Sequence, residues 1–228
     1  EVETCTALVD IYAQDGRYSD MINVYEGLYE ATREKNYLEK ALGVYVYQKN
    51  YDGAIKFLQK YSYNDDALMD LYAATGDFTK AYKKAQEAFD KSFNLEYQAK
   101  MAIYQYERDT DKQTKKIDKD SLKQVVNNFE KSAVKLNNAL YLNYYGYLLI
   151  DHDIDAKKGI DLVNKALKLE PGSVFYLDSL AWGYYKLGEC KKADEIMQQV
   201  LHDEEFVNSP EGKEHINSIK ECLKKGKK

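Results

Sequence analysis

Two consecutive segments near the C-terminal end of the chain share one length and one pattern. Segments 140–173 and 174–207 are each 34 residues long and align without gaps, so that Gly159 falls on Ala193. Each contains two stretches of helical periodicity divided by a short turn. A repeat of this length predicts stacked helical hairpins, because one hairpin cannot bury its apolar face alone.

The order of small and large residues in these segments resembles the tetratricopeptide repeat (TPR) family. The last repeat supplies residues of the family's type at Leu177, Leu180, Ala181, Tyr184, Gly188, Ala193, Met197 and Val200. An earlier segment matches equally well, with Leu68, Tyr72, Gly76, Phe78, Ala81, Ala85 and Ala88. Small residues let paired helices approach, large ones fill the gaps, and a glycine takes the positive φ that ends the first helix.

The resemblance implies an all-α fold: a right-handed α-α superhelix (a TPR solenoid) of about six helix pairs plus a C-terminal capping helix. The expected repeats are 2–34, 35–61, 62–95, 96–139, 140–173 and 174–207. Ser209 at an N-cap and Pro210 at the first helical position predict the capping helix 210–225. We expect residues 1–228 to form a single solenoid domain. No matching cap precedes the first repeat, which suggests a fragment of a longer chain.

The fourth unit is longer than the others, with 44 residues. Its segment 108–120 is polar and poor in apolar residues. We predict a long turn between helices 96–107 and 121–136. A disordered loop, a helical extension and a contact for a partner all remain open for this segment.

Charge makes nucleic acid an unexpected ligand. The net charge is −5, and Arg17, Arg33 and Arg108 are the three arginines, whereas base and phosphate readers usually cluster arginine. The lysine-rich end, 220–228, reads better as a solvated terminus than as a nucleic-acid or lipid patch. No apolar run approaches about 18 residues, so membrane insertion is not expected. Three cysteines permit a disulfide without signalling one, and the compartment stays open.

Sequence motifs for catalysis are absent. The chain has no glycine-rich phosphate loop, HExxH, GxSxG or CxxC. The densest set of metal-ligand types, 151–155, falls on a turn and is interpreted as helix-capping aspartates. We therefore predict that the protein is not an enzyme and has no catalytic residue, cofactor or metal.

In the family, the first helix of each pair lines a concave groove. Mapping that register onto this chain, in which 22 of 228 residues are tyrosine, predicts a largely aromatic groove. The predicted groove residues are Tyr63, Tyr97, Lys100, Tyr104, Arg108, Tyr141, Tyr144, Phe175, Asp178, Trp182 and Tyr185. Tyrosine and tryptophan suit such a surface because they bury a large area and keep a polar tip.

The leading functional hypothesis is a non-catalytic protein-protein interaction module that holds a peptide or partner helix in this groove. The alternative is a structural scaffold subunit of a bacterial cell-envelope, secretion or motility assembly. A regulator joined to an enzyme elsewhere in a longer chain is a third reading. The sequence leaves the partner, the pathway and the oligomeric state open.

Overall fold

The computed structural model describes residues 2–225, with side chains from Thr4 onward, so the last part of the lysine-rich end, 226–228, lies outside the described residues. The described residues form helices joined by turns and loops, and no strand occurs among them. The α-helices are α1 Val2–Gln14, α2 Tyr18–Thr32, α3 Asn36–Tyr47, α4 Tyr51–Tyr61, α5 Asp65–Ala74, α6 Phe78–Ser92, α7 Leu95–Asp109, α8 Lys119–Leu136, α9 Ala139–Asp151, α10 Ala156–Leu169, α11 Val174–Lys186, α12 Cys190–Met197, α13 Glu204–Asn208 and α14 Pro210–Lys225. Six pairs and a terminal helix confirm the expected fold class.

Short polar side chains start many of these helices. The side-chain oxygen of an Asn or Asp accepts a backbone N–H of the first turn, which satisfies a donor that has no partner inside the helix. These N-caps are Asn50, Asn64, Asn94, Asp118, Asn138, Asp155 and Asp203. At the capping helix, Ser209 Oγ accepts the Gly212 N–H at 3.0 Å, which confirms Ser209 as its N-cap.

A residue with positive φ ends the first helix of five pairs. Gly16, Gly76 and Gly188 supply it in the first, third and sixth pairs, with φ of 67°, 79° and 77°. Lys49 and Asp153 adopt φ of 55° and 52° at the matching turns of the second and fifth pairs. The turn geometry is therefore retained where the glycine is missing, at some steric cost for a residue with a Cβ.

The helices group into two compact units, Glu1–Lys84 and Ala85–Lys228, and the boundary falls within α6. In the first unit, α2 packs on α1 and α3, and α4 on α3 and α5. Its core includes Leu38, Ala54 and Leu58, all with 1% or less of their surface exposed. None of the helices described is long and apolar enough to cross a membrane.

The second unit is built on two apolar clusters. The larger one joins α7 to α11 and centres on Phe129, Tyr145 and Leu149. The smaller one joins α11 and α12 to the last two helices through Met197, Phe206 and Ile219. Helix α14 packs on α11, α12 and α13. The capping helix is thus part of the core of this unit.

Helices α9 and α10 pack with their backbones in close contact. A Cβ added at Gly146 would lie 2.7 Å from the Gly159 carbonyl oxygen, and one added at Gly159 would lie 2.6 Å from that of Gly146. Both distances are shorter than van der Waals contact, so only glycine permits this approach. The expected small position of the fifth repeat, Gly159, therefore serves the packing role that the repeat pattern assigns to it.

The structure refines the prediction for the fourth unit. Helix α7 continues to Asp109, and helix α8 begins at Lys119. Both ends of segment 108–120 are therefore helical, and the loop is 110–118. Asp118 caps α8 by accepting the N–H groups of Asp120 and Ser121. Within the loop, Asp111 Oδ1 accepts the N–H groups of Gln113 and Thr114, which closes a turn.

Two further features of the C-terminal region were not predicted. The short helix α13, Glu204–Asn208, stands between the last repeat and the cap. A disulfide joins Cys190, at the start of α12, to Cys222 of α14, with 32 residues of sequence separation, and Cys5 is free. The cap is therefore held covalently as well as by apolar packing.

We expect Gly159→Ala to destabilise the second unit by about 1–3 kcal/mol, because the new methyl group meets a backbone carbonyl. Helix propensity alone would predict a gain of about 1 kcal/mol. The sign of the change in unfolding free energy therefore distinguishes the two effects. The single tryptophan, Trp182, lies in this unit, and its fluorescence during urea unfolding gives the measurement. The exposed Lys165→Ala on the same helix is the control. A stabilised Gly159→Ala protein would contradict the close contact.

Loss of the disulfide should lower the free energy of unfolding by about 3–4 kcal/mol, the chain-entropy value for a loop of this length. The measurement compares Trp182 fluorescence in urea for the wild type and a Cys190→Ser/Cys222→Ser variant, each with and without reductant. Cys5→Ser is the matched control, since Cys5 is outside the disulfide. An unchanged midpoint in the double variant would show that the bond does not constrain the cap.

Candidate functional site

Helices α7 and α9 present a hydrogen-bonded group of aromatic and acidic side chains. The Tyr144 hydroxyl donates to Glu107 Oε1 at 2.6 Å. The Tyr106 hydroxyl lies 2.9 Å from His152 Nε2. The Tyr106 ring meets the rings of Tyr144 and His152 edge to face, with centroids 6.2 and 5.6 Å apart. These contacts fix the orientation of both tyrosines, although each remains partly exposed.

The same face continues onto α11 and α14. The Trp182 indole N–H donates to Asp151 Oδ1 at 3.0 Å, and the Tyr147 hydroxyl donates to Glu211 Oε1 at 2.6 Å. Trp182 lies between two rings, with Tyr185 stacked at 4.6 Å and His215 at 4.0 Å. The capping helix therefore closes one end of an aromatic surface that begins on α7.

A buried ion pair attaches α14 to α11. His215 Nδ1 lies 2.9 and 3.0 Å from the two carboxylate oxygens of Asp178, and the two residues are only 2% and 5% exposed. Removing one partner of such a pair leaves a buried charge uncompensated, which costs about 3–5 kcal/mol. We use the name tyrosine-acid cluster for Tyr106, Glu107, Tyr144, Tyr147, Asp151, Asp178, Trp182, Glu211 and His215.

Burial and nearby carboxylates keep the tyrosines of the cluster protonated and neutral. Burial, followed by Asp151, raises the pKa of Tyr106 to about 12. Burial and then Glu107 raise the pKa of Tyr144 well above its usual value, and burial with Asp151 and Glu211 does the same for Tyr147. Burial also raises the pKa of Asp178, although its hydrogen bond with His215 opposes this.

The two histidines respond differently. Burial alone would lower the pKa of His215, but the hydrogen bond to Asp178 and the nearby carboxylates outweigh burial and raise it. For His152, burial prevails and lowers the pKa. The difference follows from their partners, since His215 contacts a carboxylate and His152 contacts the neutral hydroxyl of Tyr106.

Two lysines of the chain contact residues at the edges of this cluster. Lys112 of the 110–118 loop forms an ion pair with Glu107 at 3.0 Å. Lys186 Nζ donates to the Asp151 carbonyl at 3.2 Å and to Asp153 at 2.9 Å, and lies 5.8 Å from the Trp182 ring centroid. Both the carboxylates and the aromatic faces thus accept ammonium groups.

The structure brings together part of the predicted groove. Tyr144, Asp178 and Trp182 belong to the tyrosine-acid cluster, and Tyr185 stacks on Trp182. Asp178 and Trp182 are buried under α14, with 5% and 6% of their surfaces exposed, whereas Phe175 is 72% exposed.

The remaining predicted residues occupy other positions. Tyr97 and Lys100 are half-buried on α7, and Tyr104 on α7 and Tyr141 on α9 are buried. Arg108 near the end of α7 pairs with Asp109 at 2.7 Å. Tyr63 belongs to the first unit and is half-buried there. The groove assignment of all eleven residues stays a prediction.

Sequence reasoning missed the contribution of the capping helix. Glu211 and His215 are four residues apart, so they lie on one face of α14. The signal in the sequence was a histidine on the apolar face of that helix, beside Ile216 and Ile219. A histidine at such a position needs a buried partner, but nothing in the sequence identifies Asp178, which is 37 residues away.

Among the described residues, Asp178, Glu211 and His215 form a group of metal-ligand types, with ligand atoms within 4.8 Å of one another. The hydrogen bond between His215 and Asp178 accounts for their approach without a metal. The turn 151–155 is accounted for by other contacts: Asp155 caps α10, and Asp151, His152 and Asp153 bind Trp182, Tyr106 and Lys186.

Comparison with known sequences identifies the repeat. The sequence profile of the tetratricopeptide repeat family matches residues 4–36, the first helix pair and its surroundings. The TPR repeat-containing protein PA4667 of Pseudomonas aeruginosa is 35% identical over 65 residues, which cover 28% of this chain and 11% of that protein. The chain thus matches only about a tenth of the length of this relative.

Solved structures show the same fold. A tetratricopeptide repeat protein from Parabacteroides merdae superposes with a TM-score of 0.63 at 11% identity, covering 97% of this chain and 86% of the other. The Cut9–Hcn1 hetero-tetramer of APC/C contains a chain that superposes with a TM-score of 0.66 at 12% identity, covering 96% of this chain and 42% of that one.

The first helix pair thus matches the tetratricopeptide repeat profile, and the chain has the fold of tetratricopeptide repeat proteins. Proteins of this fold are in general non-catalytic modules for protein-protein interaction, and they bind protein partners.

Stability of the second unit should fall as the pH rises above about 6.5, the ordinary value for histidine. Because the pKa of His215 is raised by folding, its stabilising contribution is complete below the unfolded pKa and is lost as the pH passes the folded one. The raised pKa of Asp178 acts in the same direction from about pH 3.8 upward. Urea unfolding, followed by Trp182 fluorescence at several pH values between about 6 and 9, measures how the free energy of unfolding changes with pH.

The double variant Asp178→Asn/His215→Phe removes both titrating groups and should flatten this slope. His202→Gln, at an exposed position, is the control and should keep the wild-type slope. A double variant with an unchanged slope would assign the pH dependence to other groups.

Proposed function

We propose that the unit 85–228 is a peptide-binding module, and that it holds an extended peptide or a partner helix against α7, α9 and α11. The observation that carries the proposal is the row of partly exposed aromatic side chains on successive first helices, Tyr106, Tyr144 and Tyr185, together with the exposed Phe175. Rigid aromatic groups contribute large contact areas at low cost in conformational entropy.

The hydroxyl contacts support this role. Tyr144 and Tyr147 donate to carboxylates, so both rings are held in place before a partner arrives. Preorganised side chains lose little freedom on binding, which leaves more of the contact energy as affinity. Next to Tyr185, a surface recess of about 340 Å³ is lined by residues of α14, including Asn217, Ser218 and Glu221. A recess of this kind suits an anchoring side chain.

The test is a selection of random dodecapeptides, displayed on phage, against the immobilised protein. Synthetic versions of the selected peptides are titrated with the wild type, Phe175→Ala and Tyr185→Ala. Each variant should weaken binding by about tenfold, the effect of losing one aromatic anchor. Urea unfolding of each variant separates lost contacts from lost folding.

Phe93→Ala is the matched control, since Phe93 is 74% exposed and lies in the turn before α7, outside the first helices. If the selected peptides bind all four proteins equally, the surface is not the binding site. A scaffold role, the alternative considered from the sequence, would then be the better explanation.

A further inference from the structure

The tyrosine-acid cluster has an excess of negative charge. Two of its four carboxylates have a cationic partner, Asp178 in His215 and Glu107 in Lys112, which leaves the negative charge of Asp151 and Glu211. Glu107 and Glu211 accept hydrogen bonds from tyrosine hydroxyls, and Asp151 accepts one from an indole. A neutral donor satisfies a lone pair and leaves the carboxylate charge in place.

The carboxylates of the cluster act on the same tyrosines. Burial is the main cause of the raised pKa of Tyr106, Tyr144 and Tyr147, and Glu211 adds to the shift at all three. Asp151 contributes at Tyr106 and Tyr147. The negative charge from α9 and α14 therefore converges on the tyrosines of α7 and α9.

Aromatic faces bordered by carboxylates suit a cation. An ammonium or guanidinium group over a tyrosine or tryptophan ring gains about 0.5–2 kcal/mol, more where water is excluded, and hydrogen bonds to ionised groups are roughly twice as strong as neutral ones. The chain's own Lys186 shows both contacts, since it bonds to Asp153 and lies over the Trp182 ring. Lys112 forms an ion pair with Glu107.

We infer that the tyrosine-acid cluster recognises a basic peptide segment, and that a lysine or arginine side chain of the partner enters between the tyrosines of α7 and α9 and Glu211 of α14. This inference rests on the proposed function and adds the charge of the partner to it. Charge complementarity selects this occupant: a neutral segment would leave the charge of Asp151 and Glu211 uncompensated, and an acidic one would be repelled.

The dodecapeptide selection also tests this inference. Selected peptides should be enriched in lysine or arginine, and replacing the basic residues of one peptide by glutamine should weaken binding at least about tenfold, the loss of one charge-assisted hydrogen bond. Binding should also weaken between about 50 and 500 mM NaCl, because salt screens partly exposed charges.

Protein variants locate the effect. Glu211→Gln and Glu107→Gln should each weaken binding of the basic peptide by about fivefold or more, since each removes one charge and keeps the shape of the side chain. Glu214→Gln is the matched control, because Glu214 is exposed on the same helix as Glu211 and lies outside the cluster. It should bind like the wild type.

The outcomes separate the two proposals. Neutral or acidic peptides that lose affinity with Tyr185→Ala but not with Glu211→Gln would overturn the charge inference and leave the proposed function intact. Basic peptides that bind equally to Glu211→Gln, Glu107→Gln and Glu214→Gln would overturn it as well, since their binding would be nonspecific attraction to an acidic protein. A selection that yields no peptide dependent on the aromatic residues would overturn both.

Discussion

Close approach of antiparallel helices is the constraint on which the arrangement of side chains depends. The residues at these contacts are small and fully buried, among them Ala54, Ala81, Ala133, Ala166 and Ala193. On α9, Gly146 faces α10 and fixes the rotation of the helix. Tyr144, Tyr147 and Asp151, which follow one another at helical spacing, are then directed toward α7, α14 and α11, respectively. A packing requirement on one face thereby determines the chemistry of the opposite one.

The same constraint explains which parts of the structure could be predicted. Small residues recur at fixed spacing, so the helix pairs, their turns and the placement of Tyr144 and Trp182 on first helices follow from local pattern. The docking of α14 does not, because it depends on contacts between residues far apart in sequence. Glu211 and His215 join the site only through Tyr147 and Asp178, and Cys190 meets Cys222 only once α14 has packed.

The predicted groove and the observed cluster differ in character. The repeat register predicted a groove dominated by aromatic side chains, with Lys100 and Arg108 as its basic residues. The contacts of the described residues emphasise tyrosine hydroxyls bound to carboxylates, with Glu107 and Glu211 as acceptors. This difference matters for recognition. A large aromatic surface can bind many partners, whereas charged side chains in fixed positions discriminate among them. Specificity in such a site would come from its acids.

The covalent link between α12 and α14 has a consequence for how the array comes apart. In repeat proteins each pair contacts only its neighbours, and terminal pairs therefore open first. Cys190 and Cys222 enclose α12, α13 and most of α14 in one covalent loop. The C-terminal end of the second unit then cannot separate one helix at a time, because α14, which carries His215 and Glu211, stays attached to α12 when its other contacts break.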